Sequence, residues 1–96
     1  MALDYTSESI TVTEPPPTLF ATGLKVRGRW AADLTWTGTL KPVDLYRDGV
    51  LIAAAVPSDP ASYRDETGQT GKGITFTYEA CIAGTDNCSE PVTVTF

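Results

Sequence analysis

Few kinds of side chain in this sequence could do chemistry. It has twelve acidic residues against seven basic ones, two cysteines and no histidine. Without histidine it lacks the commonest general base and the commonest transition-metal ligand. Among the carboxylates, Asp44 and Glu79 are expected to face the same side of neighbouring strands. Paired carboxylates hydrolyse glycosides only when a sheltered cleft raises the pKa of one of them, and an open sheet offers no such shelter. Asp59, Asp65 and Glu66 carry oxygens that suit calcium but follow no regular loop spacing. Two thiolates do not complete a tetrahedral zinc shell. No catalytic residue, metal site or cofactor is assigned.

The contact candidates are Lys25, Arg27, Arg29 and Trp30. If Leu24–Trp30 is one strand, the three cations share a face and form a basic ridge on an acidic protein. Such a ridge suits an anionic polymer or an acidic partner domain. The plainer expectation is cross-strand pairing with carboxylates such as Asp33 or Glu66, each pair contributing only ~0.2–1 kcal/mol. Trp30, beside an expected Ala31-Ala32 turn, either stacks on a sugar ring or caps the end of the core. Thr75, Thr77, Thr93 and Thr95 make an outward threonine array, which β-propensity alone explains.

These residues need a scaffold, and 96 residues supply one small domain. A formal net charge of −5 argues against a nucleic-acid module and against anionic membrane surfaces. No apolar run approaches the ~20 residues that span a bilayer. Short alternating segments separated by Gly, Pro and Asp predict an all-β sandwich of about seven antiparallel strands. Leu24–Trp30 reads as the first and Asp33–Thr37 as the second, with Leu34 and Trp36 inward. Val43–Arg47 follows with Val43 and Leu45 inward, then an Asp48-Gly49 turn and Val50–Val56. Ala61–Asp65 is short, with Tyr63 inward.

The last two dozen residues read as one hairpin. Phe76, Tyr78, Ala80 and Ile82 share a face, Gly84-Thr85-Asp86-Asn87 supplies the turn, and Val92–Phe96 returns. Cys81 and Cys88 flank that turn, where a cross-strand disulfide is sterically plausible; two free thiols are the alternative. A bridge closing so short a loop contributes roughly 2.5 kcal/mol and implies an oxidising compartment, hence a secreted or extracellular protein. Strict alternation would put Cys88 inward and Cys81 outward. A β-bulge near Ser89-Glu90-Pro91 resolves the mismatch.

Leu34-Thr35-Trp36, Val43–Gly49 and Phe76–Cys81 resemble strands B, C and F of a fibronectin type III domain. The likeness is to the bacterial kind with a cysteine pair in the last hairpin, appended to secreted hydrolases such as subtilisin-like proteases. It implies an immunoglobulin-like sandwich and a non-catalytic accessory module, a spacer and docking domain that is monomeric and partners neighbouring domains of the parent chain. The alternative is a carbohydrate- or surface-adhesion module that reads a polysaccharide or a cell-surface protein directly. The family's corner tyrosine aligns with Phe76, which lacks the hydroxyl; Tyr78 fills the role in a shifted register.

The expected division is residues 1–14 as the tail of an upstream region, 15–18 as a proline-rich linker and 19–96 as the domain. Ser7–Thr13 echoes Ser89–Thr95, which points to an upstream unit of the same or a related kind; the alternative is coincidence, since Thr-Val-Thr is common in strands.

Overall fold

Period-two alternation broken by tight turns gives seven strands in the computed structural model, which describes residues 14–96. They are β1 (Thr18–Val26), β2 (Arg29–Thr37), β3 (Val43–Arg47), β4 (Val50–Val56), β5 (Ser62–Glu66), β6 (Thr75–Ile82) and β7 (Val92–Thr95). Every pairing is antiparallel. One sheet has three strands in the order β1-β2-β5, the other four in the order β4-β3-β6-β7. Leu19, Ala32, Leu34 and Trp36 of the first sheet share a buried core with Val43, Leu45, Tyr78, Ala80 and Val94 of the second. Leu34 and Leu45 are fully buried, and each such side chain contributes about 1.5–3 kcal/mol relative to exposure.

The sandwich has two poles. At the proximal pole lie the loop before β3, the loop between β4 and β5, and the disulfide hairpin. Trp36 donates its indole N–H to Ser58 Oγ at 2.8 Å, and Ser58 donates to the Lys41 carbonyl at 2.6 Å, closing the core there. At the distal pole lie the β1–β2 turn, the β3–β4 turn and the crossing from β5 to β6.

The start of the sheet differs from the sequence expectation. Leu24–Trp30 is not one strand but the apex of a hairpin. Arg27 and Gly28 form its turn, with φ of 55° and 79°, and Val26 pairs with Arg29. Crossing the turn reverses the inner and outer parity. Leu24 and Val26 thus face outward while Trp30 stands on the core side with Ala32, Leu34 and Trp36. Ala31 and Ala32 are no turn; they lie within β2 and are fully buried. The strand Thr18–Val26 was absent from the expectation, because Gly23 interrupts its pattern. That glycine has a packing cause: a Cβ there would come within 2.8 Å of Phe96 Cε1 and 3.0 Å of Val94 Cγ1.

Val43–Arg47, Val50–Val56 and the final hairpin fall where the sequence placed them. So does the bulge. Tyr78 pairs with Val92 and Cys81 with Cys88, leaving Glu79 and Ala80 opposite the three residues Ser89, Glu90 and Pro91. Ser89 is buried and serves this irregular stretch of the ladder twice: its N–H donates to the Ala80 carbonyl at 2.7 Å, and its hydroxyl accepts from the Ala80 N–H at 3.0 Å. Pro17 is buried and Thr18 already belongs to β1. The Ser7–Thr13 echo lies outside the described residues.

Candidate functional site

The chemistry-bearing side chains gather toward the distal pole, in two layers. The inner layer is a closed polar node. Arg47 ends β3 and pairs in register with Tyr78 of β6, while Asp65 comes from β5 in the opposite sheet. Arg47 Nη1 donates to Asp65 Oδ1 at 2.9 Å and Oδ2 at 2.7 Å, and the Tyr78 hydroxyl donates to Oδ2 at 2.7 Å. The guanidinium also lies 5.1 Å from the Phe76 ring centroid. Asp65 is 6% exposed, and both of its donors come from the opposite sheet, so the buried carboxylate is hydrogen-bonded rather than orphaned. Burial, reinforced by the Asp65 carboxylate, pushes the Tyr78 hydroxyl well above its ordinary pKa. Burial works against the charge on Arg47, but its hydrogen bonds to Asp65 more than offset this and strengthen its hold on the proton.

Tyr78 carries the buried hydroxyl of this node, and its partner is a carboxylate of the other sheet. The node also redirects the calcium reading. Asp65 is committed to Arg47 and Tyr78, and among the described residues no group of three or more acidic or cysteine side chains is placed to hold a metal ion. The sequence offers Asp65 only as a weak calcium ligand and gives Arg47 no site role, yet alternation marks both as inward. Arg47 follows the inward Val43 and Leu45, and Asp65 follows the inward Tyr63.

The outer layer surrounds the β1–β2 turn. Lys25, Arg27 and Arg29 do not form a ridge on one strand, because the turn separates them: Lys25 is on β1, Arg27 in the turn and Arg29 on β2. Nor do they pair with Asp33, whose partner is Arg64 at 2.6 Å on β5. The Arg64 hydrogen bonds hold Asp33 below the usual carboxylate pKa, against the opposing effect of burial. Lys25 Nζ lies 4.8 Å from the Trp30 ring centroid. Trp30 stacks on Phe96, centroids 5.1 Å apart, and donates its indole N–H to the Gly71 carbonyl. It therefore covers Phe96, which packs against the core, whereas Trp36 belongs to the core itself at the proximal end. On the outer face beside Trp30 is a concavity of about 280 Å³. Val26 and Ala31 contribute apolar lining and Arg27, Arg29 and Glu66 charged lining.

The other candidates are structural. Asp44 and Glu79 are diagonal neighbours on paired strands, and Asp44 accepts the Ala55 N–H at 2.8 Å where β4 bulges. Thr75 and Thr95, like Thr77 and Thr93, bring their hydroxyls within 3.3 Å across the final hairpin. Cys81 and Cys88 are disulfide-bonded at the proximal pole. Among the described residues, no helix is long and apolar enough to cross a membrane.

Comparison of the chain with family models, with curated proteins and with solved structures finds no match.

Proposed function

We propose that this chain is a non-catalytic accessory module of the fibronectin type III-like kind, a spacer and docking domain in a secreted multidomain bacterial protein of the kind that includes hydrolases. The observation that carries the reading is the path of the chain. Glu14 sits at the proximal pole, where it pairs with Lys41 and its carbonyl accepts from Asn87. Phe96 sits at the distal pole against Trp30. Tension between these two residues runs along the strands, the geometry of a unit that holds its neighbours apart in series.

Two further features support it. The pairing of β3 with β6, with β2 in the opposite sheet, matches the assignment of those segments to strands C, F and B. The disulfide is the kind of bond that persists in oxidising compartments. The adhesion reading through ring stacking has less support, because Phe96 already stacks on Trp30.

Single-molecule force spectroscopy tests the reading. Pulled through residues 14 and 96, the domain should rupture in one step, at a force well above that needed to unzip β1 from β2 through Thr18 and Thr37. Equal forces would contradict it. Peptide, ester and glycoside substrates should show no turnover; turnover that a single carboxylate substitution abolished would overturn the non-catalytic half.

A further inference from the structure

Seven cations serve this acidic chain, and they divide by location. Lys41, Arg47 and Arg64 each hold a carboxylate at 2.7 Å or closer. The other four, Lys25, Arg27, Arg29 and Lys72, make no ion pair among the described residues, and all four are exposed. They also share the distal pole. Lys25, Arg27 and Arg29 surround the β1–β2 turn, and Lys72 follows Gly71, whose carbonyl accepts the Trp30 indole N–H. Among the described residues, the cations without an ion pair thus lie at one pole of a protein with a surplus of carboxylates.

The concavity on the outer face says what kind of anion fits. Register places Val26 beside Arg29, and Ala31 between Leu24 and Glu66, all on that face. Val26 gives it an apolar floor, Arg27 and Arg29 a cationic rim, and Glu66 a hydrogen-bond acceptor. A bare polyphosphate or sulfate polymer gains from the arginines and is repelled by Glu66. A carboxylated sugar satisfies all three elements: its carboxylate pairs with guanidinium in a fork, its hydroxyls donate to Glu66, and its C–H face covers the floor. The volume of about 280 Å³ is in the size class of a single small-ligand subsite.

We infer that the outer face of the β1–β2 hairpin is a binding site for an acidic polysaccharide of the uronate class, with Arg27 and Arg29 holding the carboxylate and Glu66 the hydroxyls. Recognition runs through charge and hydroxyl contacts, so it does not need the face of Trp30 that Phe96 occupies. It also stands apart from the spacer reading: failure at this site leaves the force measurement untouched.

The test is NMR titration of the intact chain with a galacturonate hexamer, with a neutral glucose hexamer and linear polyphosphate as the other arms. The galacturonate hexamer should give saturable shifts at the Arg29 amide and the Trp30 indole N–H, and affinity should fall steeply with added salt. The neutral hexamer should give none. Arg27→Asn with Arg29→Gln should weaken binding at least tenfold; asparagine tolerates the positive φ of the turn, so an unchanged remainder of the spectrum verifies the fold. Glu66→Gln should weaken the galacturonate hexamer and strengthen polyphosphate. No saturable shift with the galacturonate hexamer at millimolar concentration would overturn the site. So would polyphosphate binding as tightly as the galacturonate hexamer, since the pole would then be an unselective polyanion patch.

Discussion

Arg64 and Asp65 are consecutive on β5, and each makes an ion pair, but alternation sends them to opposite faces. Arg64 turns outward to Asp33, its register partner in the same sheet, where both side chains are more than 40% exposed. Asp65 turns inward to Arg47 and Tyr78, which belong to the other sheet. The outer pair joins strands already joined by a ladder, in water, where an ion pair contributes little. The inner node joins the two layers of the sandwich, and there a missing partner would leave a buried charge uncompensated. The same chemistry decorates one face and fastens the other. Geometry alone decides which.

Breaking the inner node should have the largest effect. Breaking a fully buried pair costs roughly 3–5 kcal/mol. The Arg47 side chain is 29% exposed, so Arg47→Met should cost less, about 2–3 kcal/mol. Urea denaturation monitored by far-UV circular dichroism would measure it.

Tyr78→Phe should come next. It removes one donor to a buried carboxylate and leaves Arg47 in place, costing about 1.5–2 kcal/mol. The same substitution alters the pH profile. Because the fold raises the Tyr78 pKa, the native state keeps a proton that the unfolded state loses. The Tyr78 contribution is therefore complete below pH ~10 and lost as pH rises beyond it. Wild-type protein should show this alkaline decline, and Tyr78→Phe should flatten it.

The outer pair should give the smallest effect. Arg64→Gln should leave the thermal midpoint within error at neutral pH. Asp33 has a lowered pKa in the fold, so its contribution is present above the unfolded carboxylate pKa and lost as pH falls through the folded one. Asp33→Asn should slightly reduce the acid sensitivity of the fold below pH ~4, a difference that thermal melts across that range would register.

How much of this could be read from the sequence is clearest at the two tight turns. Asp48-Gly49 and Arg27-Gly28 have nearly the same backbone, with φ of 51° and 80° in one and 55° and 79° in the other. The first was legible because aspartate favours turns and tolerates positive φ. Arginine has no such preference, and the run from Leu24 to Trp30 alternates straight through the second turn. The missed turn displaced β1, broke up the expected basic ridge and assigned Trp30 the wrong neighbours. The final hairpin was legible down to its bulge, because proline and the cysteine register constrained it together. Arg47 and Asp65 lay on the inward face by simple alternation, but their charge argued for the surface. Only the pairing of β3 with β6, and the approach of β5 from the opposite sheet, shows that each answers the other. The cationic pole was legible in three of its four members; Lys72 lies there because its neighbour Gly71 accepts the Trp30 indole N–H across the sandwich end.

The central claim, that Arg47 and Asp65 fasten the two sheets as a coupled pair, is tested most directly by a double-mutant cycle. Arg47→Met, Asp65→Leu and the combined variant would be compared with wild type by urea denaturation at neutral pH. Each single change strands a charged partner, whereas the double change leaves an apolar contact in place of the ion pair; the Tyr78 hydroxyl loses its acceptor equally in Asp65→Leu and in the double variant, so that cost cancels in the cycle. The interaction energy should therefore exceed about 1 kcal/mol, with the double variant more stable than the sum of the singles implies. Additivity within ~0.5 kcal/mol would show the two residues to be independent and would contradict the account.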